Sequence, residues 1–158
     1  MALIKSISGI RGTIGGVPDE NLTPIDAVKF AAAYGFWLKN HVHKTRIKVV
    51  VGRDARLSGE MVQNLVQYTL IGLGIDVVDL GLSTTPTVEV AVTMEQADGG
   101  IILTASHNPK QWNALKLLNN QGEFLNAQEG EEILRIATDN SAVFAEVDAL
   151  GTLSHNDT

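Results

Sequence analysis

The sequence contains no cysteine among its 158 residues. Disulfide bonds and thiolate metal sites are therefore excluded, and a reducing compartment is the natural expectation. Long apolar runs are missing as well. None approaches the roughly 20 residues needed to cross a bilayer, and the apolar run at the N-terminus is too short for a signal peptide. We therefore expect a cytoplasmic protein without a membrane partner.

Positive charge is also scarce. The chain has 12 Lys and Arg residues against 18 Asp and Glu residues, which gives a formal net charge of −6 at pH 7. This balance argues against nucleic acid as a partner, although it leaves room for a local anion pocket. Hydrophobic residues make up 44% and charged residues 19%, as in globular and not in disordered chains. The length suits one domain with a core of ordinary size.

The first half of the chain alternates between helix and strand signals. Thr23 is an N-cap candidate and Pro24 suits the first helical position, ahead of an apolar stripe at helical spacing. A β-branched run at 47–51 predicts a buried strand. A second helix is predicted from about Glu60, with Gly74 as its C′ stop.

The same alternation continues through the middle of the chain. Strands are predicted at 75–80 and 101–104, and a third helix runs between them from Thr85-Pro86 to about Gln96. The β-α-β-α-β pattern predicts a three-layer α/β/α domain with a mixed, mostly parallel sheet and helices on both faces.

The last third changes character. A fourth strand is predicted at 114–118, and the turn signal at 119–122 favours an antiparallel pairing with the residues that follow. Asn126 and Glu129 form a capping box for a last helix. We expect the domain to occupy residues 1–145 and residues 146–158 to form a linker toward a second domain, with 151–158 as a linker or frayed end.

Chemistry is expected where strands of such a sheet end, since ligands gather at their carboxyl ends. Polar loops follow three strands, at 52–54, 81–85 and 105–109. The last loop contains Ser106 and His107. A serine is a poor nucleophile unless a base, metal or charge assists it, and neighbouring loop side chains usually diverge. The alternative is a structural turn whose Ser and Asn bond the local backbone, and the residues alone leave both interpretations open.

Two cations stand in unusual surroundings. Arg11 lies between two glycines, so that it either binds a phosphate or carboxylate in a forked geometry or is solvated on a glycine-rich entry loop. Lys116 interrupts the apolar strand 114–118. It either lies at a sheet edge with its amine in water or is a functional amine near a cavity, able to act as a general acid or base.

Together these stretches resemble one family, the α-D-phosphohexomutases, which include phosphoglucomutases, phosphomannomutases and phosphoglucosamine mutases. The shared motifs occur in the family's order and cover residues 4 to about 118. They are Thr104-Ala105-Ser106-His107-Asn108-Pro109, Gly9-Ile10-Arg11-Gly12, Gly52-Arg53-Asp54 with Arg56 and Ser58-Gly59, and Asn113 with Lys116.

The resemblance implies a reaction and the residues that perform it. Ser106 would be carried as a phosphoserine that gives its phosphoryl group to a hexose monophosphate, forms a bisphosphate intermediate and takes the other phosphoryl group back. A hexose 1,6-bisphosphate would act as activator. Arg11 and His107 would steady the phosphate, and Lys116 would be the general acid/base.

The remaining family assignments concern the loop and the metal. One oxygen of the phosphoserine at Ser106 would bind Mg²⁺, Asn108 would order the loop, and Arg53 and Asp54 would shape it. The family's enzymes have four domains, and the metal loop, sugar-recognition loop and terminal phosphate loop of the other three are not in this chain. We therefore expect domain I of a longer enzyme, with the remaining domains of the same polypeptide as partners and a hexose phosphate as substrate.

Alone, the chain is expected to be inactive and to hold Mg²⁺ weakly, because octahedral magnesium needs several oxygen ligands. One alternative is a non-catalytic phosphosugar- or protein-binding module derived from the same domain. Another is a serine hydrolase that uses Ser106, although the sequence has no Gly-x-Ser-x-Gly elbow.

Overall fold

A seven-stranded sheet forms the centre of the molecule in the computed structural model, which describes residues 3–6 and 9–156. Its spatial order is β1-β2-β6-β5-β3-β4-β7. The strands are β1 (Leu3–Ser6), β2 (Gly9–Thr13), β3 (Ile47–Arg53), β4 (Ile75–Leu82), β5 (Gly99–Leu103), β6 (Trp112–Leu118) and β7 (Leu153–His155). No helix among the described residues is long and apolar enough to span a membrane.

The sheet is mixed. Parallel pairings join β5, β3, β4 and β7, whereas antiparallel pairings join β1, β2, β6 and β5. Four helices cover it: α1 (Pro24–His41), α2 (Gly59–Gly72), α3 (Thr85–Met94) and α4 (Ala127–Asp139). Helices α1, α2 and α4 pack against one apolar face and α3 against the other, which gives two cores. The prediction of an α/β/α domain with helices on both faces is confirmed.

Local signals place the helix starts. Thr23 forms a reciprocal capping box with Asp26 at the start of α1, and Asn126 forms one with Glu129 at the start of α4, as predicted. The N-cap of α3 is Thr84 and not Thr85, because the Thr84 hydroxyl accepts the backbone N–H of Thr87 at 3.2 Å.

The N-terminal stretch forms strands where a glycine-rich loop was one expectation. Strand β2 pairs with β6, and a Cβ added at Gly9 would lie 1.9 Å from the Leu115 carbonyl oxygen. Glycine therefore permits the close approach of the two backbones instead of marking a turn. Ser8, which directly precedes the Gly9-Ile10-Arg11-Gly12 motif, lies outside the described residues.

The C-terminal stretch also joins the sheet, so the expectation of a frayed end at 151–158 is wrong for residues 153–155. Strand β7 extends the parallel half beside β4. The Asp76 carboxylate accepts the backbone N–H of Thr152 at 3.0 Å and its hydroxyl at 2.9 Å, which anchors the strand where it begins. A linker role for 146–158 stays a prediction, and residues 157 and 158 lie outside the described residues.

Candidate active site

The candidate site lies where the parallel and antiparallel halves of the sheet meet. The connection from β5 to β6, residues 104–111, is called the serine loop here. Strand β3 lies beside β5, and the Asp54 N–H that follows β3 donates to the Leu103 carbonyl at 3.2 Å. Strand β4 lies on the other side of β3, so all three predicted polar loops, at 52–54, 81–85 and 105–109, begin side by side.

Ser106 lies at the exposed turn of the serine loop. Its φ of +53° is in the left-handed region, which a non-glycine residue adopts only when its surroundings impose it. The Ser106 N–H donates to the Thr104 hydroxyl at 3.1 Å, and the Asn108 N–H donates to the Ala105 carbonyl at 3.0 Å. The loop is thus a hydrogen-bonded turn, as one interpretation held, but the serine hydroxyl is not used to build it.

The Ser106 hydroxyl instead contacts Lys116. The Lys116 ammonium donates to Ser106 Oγ at 2.9 Å. Strand β6 lies between β2 and β5, so the interpretation of Lys116 as an edge residue is wrong. Lys116 shares a sheet face with Leu118, two residues on, which packs in the core under α3. The half-buried Lys116 thus reaches an exposed hydroxyl, a contact that fits the functional alternative, and its acid/base role stays a prediction.

A half-buried carboxylate, that of Asp54, supports the loop. The Thr104 hydroxyl, in a residue only 8% exposed, donates to Asp54 Oδ2 at 2.6 Å. Because the same hydroxyl accepts the Ser106 N–H, the serine backbone is tied to the end of β3 through Thr104. Asp54 therefore shapes the loop through its side chain.

Arg11 extends from β2 onto the face of the sheet that carries Lys116. Gly9 pairs with Lys116 and Arg11 with Ala114, so Arg11 occupies the next position on that face. Its guanidinium carbon lies 5.9 Å from the centroid of the Trp112 ring. Arg11 is exposed and its planar fork is available to an anion.

A shallow depression joins these cations. It is lined by Ile4, Ser6, Gly9, Ile10, Arg11, Ala114, Leu115 and Lys116. The two positive charges make it suited to a phosphate in a chain whose net charge is negative.

The other predicted residues are less closely joined to the serine. His107 is exposed, and among the described residues its ring makes no hydrogen bond with Ser106. Asn108 orders the loop through its backbone. Arg53 contacts α2 and its own loop, since its Nε donates to the Gln63 side-chain oxygen at 2.7 Å and its Nη1 to the Asp54 carbonyl at 3.3 Å. It therefore shapes the end of β3, and its assignment to the phosphate loop stays a prediction.

The sequence predicted no role for Arg56, which was only part of one of the shared motifs. Its side chain is 11% exposed, and its Nε donates to Asp54 Oδ2 at 3.3 Å. The rest of its guanidinium faces carbonyls of the serine loop. The available signal was positional: an arginine in the loop after β3 lies at the same sheet edge as the loop after β5.

Comparison with known proteins decides the family. Residues 4–143 match the family model described as phosphoglucomutase/phosphomannomutase, alpha/beta/alpha domain I. The chain belongs to the phosphoglucomutase/phosphomannomutase family. It carries the first domain of that family, which the resemblance of the sequence motifs predicted.

Individual relatives agree. The chain is 43% identical over 113 residues to a phosphoglucomutase/phosphomannomutase of Thermococcus kodakarensis, covering 70% of this chain and 25% of the relative. It is 37% identical over 147 residues to a phosphoglucosamine mutase of Ligilactobacillus salivarius, covering 90% and 33%. A phosphoglucomutase/phosphomannomutase family protein of Burkholderia thailandensis superimposes with a TM-score of 0.82 at 25% identity, over 98% of this chain and 33% of that chain. The chain thus spans a quarter to a third of these relatives.

Proposed function

We propose that the chain is the phosphoserine-bearing domain of an enzyme that interconverts hexose 1-phosphate and hexose 6-phosphate. The observation that carries the proposal is the 2.9 Å hydrogen bond from the Lys116 ammonium to Ser106 Oγ on an exposed loop. The names of the relatives, which include phosphoglucosamine mutase and phosphoglucomutase/phosphomannomutase, support the reaction class. We also propose that the enzyme acts in the cytoplasm.

The chemistry is a phosphoryl exchange between two oxygens. The bond from phosphorus to Ser106 Oγ breaks while a bond to a sugar hydroxyl oxygen forms, and the hydroxyl proton ends on the serine oxygen. Lys116 is within hydrogen-bond reach of that oxygen, so it can donate a proton to it and recover one from the sugar hydroxyl. Return of the other phosphoryl group reverses these steps and regenerates the phosphoserine.

Charge stabilisation by the chain's own cations accompanies the transfer. A phosphoserine carries a charge of about −1.5 to −2 at neutral pH. Arg11 lies on the same sheet face as Lys116, and His107 is adjacent to Ser106 in the loop. We assign both to phosphate binding, Arg11 through its fork and His107 through a ring that is free to turn toward the phosphate.

We also propose that one oxygen of the phosphoserine at Ser106 would bind Mg²⁺. The ion would neutralise negative charge on the phosphoryl group that is transferred. The described residues contain no cluster of three or more His, Asp or Glu side chains that could hold a metal. The Asp54 carboxylate, which supports the serine loop, already accepts from Thr104 and Arg56. Residues 3–6 and 9–156 therefore offer no ready-made set of magnesium ligands, and weak Mg²⁺ binding and absence of turnover by the chain alone belong to the same proposal.

Phosphorylation of Ser106 tests the proposal. The full-length protein that contains this chain is incubated with a hexose 1,6-bisphosphate, and phosphate is located by intact mass and peptide mapping. We expect one phosphoryl group on Ser106 and none in Ser106→Ala. Ser141→Ala, an exposed serine at the end of α4, is the control and should label like the unmodified protein. Phosphate only at other residues, or undiminished mutase activity in Ser106→Ala, would contradict the mechanism.

A further inference from the structure

We propose that Arg56 is a positioning residue that fixes the serine loop in the conformation from which Ser106 reacts. The reactive role of the loop rests on the proposed function, but the structural role of Arg56 stands on contacts alone. One guanidinium makes five hydrogen bonds here. They run from Nη1 to the carbonyls of Pro109 (2.8 Å) and Trp112 (3.1 Å), from Nη2 to those of Ser106 (2.8 Å) and Asn108 (3.0 Å), and from Nε to Asp54 Oδ2 (3.3 Å).

Four backbone carbonyls therefore converge on one cation. Converging carbonyl oxygens repel one another, so a cationic donor between them stabilises the arrangement. A guanidinium has five N–H donors in a planar fork, which matches the five acceptors around Arg56. An ammonium concentrates three donors at one point and cannot span the same set, so lysine is not an equivalent replacement.

The contacts close a ring that passes through Ser106. The Ser106 carbonyl accepts from Arg56, and the Ser106 N–H donates to the Thr104 hydroxyl. That hydroxyl donates to the Asp54 carboxylate, which accepts in turn from Arg56. Both backbone polar groups of the serine are thus held through one guanidinium. This arrangement accounts for the left-handed conformation of Ser106, which would otherwise relax.

The hydrogen bond from Arg56 to the Ser106 carbonyl also orients a backbone N–H that can bind an anion. The described peptide bonds are all trans, so a carbonyl and the following N–H point in opposite directions. Arg56 binds the Ser106 carbonyl and so directs the His107 N–H away from itself. Among the described residues this N–H has no acceptor. It is therefore available to a phosphoryl group on Ser106.

Chemical rescue of a cavity variant tests the role of Arg56. Arg56→Ala in the 158-residue chain removes the guanidinium and leaves a cavity between the four carbonyls that it contacted. In amide NMR spectra we expect the signals of residues 104–112 and of Asp54 to shift or broaden, while those of α1 and α4 stay in place. Addition of methylguanidinium at non-denaturing concentration should restore the loop signals, whereas methylammonium should not. Arg135→Ala, which removes an exposed arginine from α4, is the control and should leave the loop signals unchanged.

Two further outcomes keep the proposal falsifiable. If Arg56→Ala does not fold, Arg56→Lys keeps the charge and most of the stem, and its loop amides should exchange with solvent at least about tenfold faster than in the unmodified chain. Loop signals of Arg56→Ala that match the unmodified chain, or restoration by Arg56→Lys or methylammonium as complete as by methylguanidinium, would overturn it.

The functional readout separates this proposal from the previous one. In the full-length protein, transfer of phosphate from a hexose 1,6-bisphosphate to Ser106 should fall by at least about tenfold in Arg56→Ala and recover in part with methylguanidinium. An unchanged rate would contradict the positioning role. If the unmodified protein takes no phosphate, the proposed function fails, and the NMR spectra still decide whether Arg56 holds the loop.

Discussion

The two halves of the sheet differ in construction, and the candidate site needs both. The parallel half, β5-β3-β4-β7, is built largely from strand–helix units, whereas the antiparallel half, β1-β2-β6, joins two neighbouring N-terminal strands to a strand from much later in the chain. Ser106 leaves the parallel half at the end of β5, and Lys116 comes from β6 in the antiparallel half. Their hydrogen bond crosses the seam between the two halves.

The two halves of the sheet therefore contribute different parts of the site. The parallel half contributes the loop and its supports, Asp54 and Arg56, at the carboxyl ends of adjacent strands. The antiparallel half contributes the exposed or half-buried cations, Arg11 and Lys116. A change in either half should therefore damage a different part of the reaction, and the predictions below test that division.

Removal of the amine at the seam should have the largest effect. Lys116→Met keeps most of the stem and removes the charge that contacts Ser106 Oγ. Because proton transfer by a placed side chain contributes about 10²–10⁴-fold, we expect a loss of that order in the rate of Ser106 phosphorylation, measured by quenched-flow mass spectrometry. Lys110→Met, in the same loop but exposed, should react at the normal rate. A loss of less than threefold in Lys116→Met would show that the amine is not the proton carrier.

The same division explains how much could be predicted from the sequence. In the parallel half, capping boxes such as Thr23–Asp26 and the period of apolar residues in each helix are local signals, so the order of strands and helices was predictable. In the antiparallel half, β2 is five residues long and contains two glycines, and its pairing with β6 depends on residues about 100 positions away. Local patterns carry no information on such a partner.

The site was predictable in the same uneven way. Ser106 and Lys116 stood out because one is a reactive group in a polar loop and the other a charge in an apolar strand. Arg56 did not, because its role follows from four carbonyls that converge only after β3 and β5 have paired. Backbone acceptors have no sequence signature, so an arginine that binds them is found only in the fold.

A buried phenol stabilises the seam between the halves. The Tyr34 hydroxyl accepts the Gly100 N–H of β5 at 3.0 Å and donates to the Leu118 carbonyl of β6 at 2.5 Å. Tyr34→Phe leaves both groups without this partner, so we expect the free energy of unfolding to fall by about 1–3 kcal/mol in urea titrations. Tyr68→Phe, at an exposed tyrosine of α2, should change it by less than about 0.5 kcal/mol. Equal stability of the two variants would show that the phenol does not join the halves.

Alkaline pH should weaken the same contact. Burial raises the pKa of Tyr34 above its ordinary value of 10.0. Since the unfolded chain ionises this phenol first, the stability from the protonated Tyr34 is fully present below about pH 10 and is lost as pH rises above that value. We expect the urea midpoint to fall more steeply above pH 10 in the unmodified chain than in Tyr34→Phe. Parallel pH profiles for the two proteins would contradict this assignment.

The smallest effect is expected at the outer edge of the parallel half, far from the seam. Burial raises the pKa of Asp76, but hydrogen bonds from Arg46 and Thr152 outweigh it, so the net pKa lies below the ordinary 3.8. The resulting stability is present above that value and is lost as pH falls through the lower pKa of the folded state. Because Asp76 is partly exposed, we expect at most about 1 kcal/mol, seen as faster amide exchange in β7 below about pH 4. Asp76→Asn should remove this pH dependence, Asp139→Asn should retain it, and signals of the serine loop should not respond to either change, because β7 lies three strands from the seam.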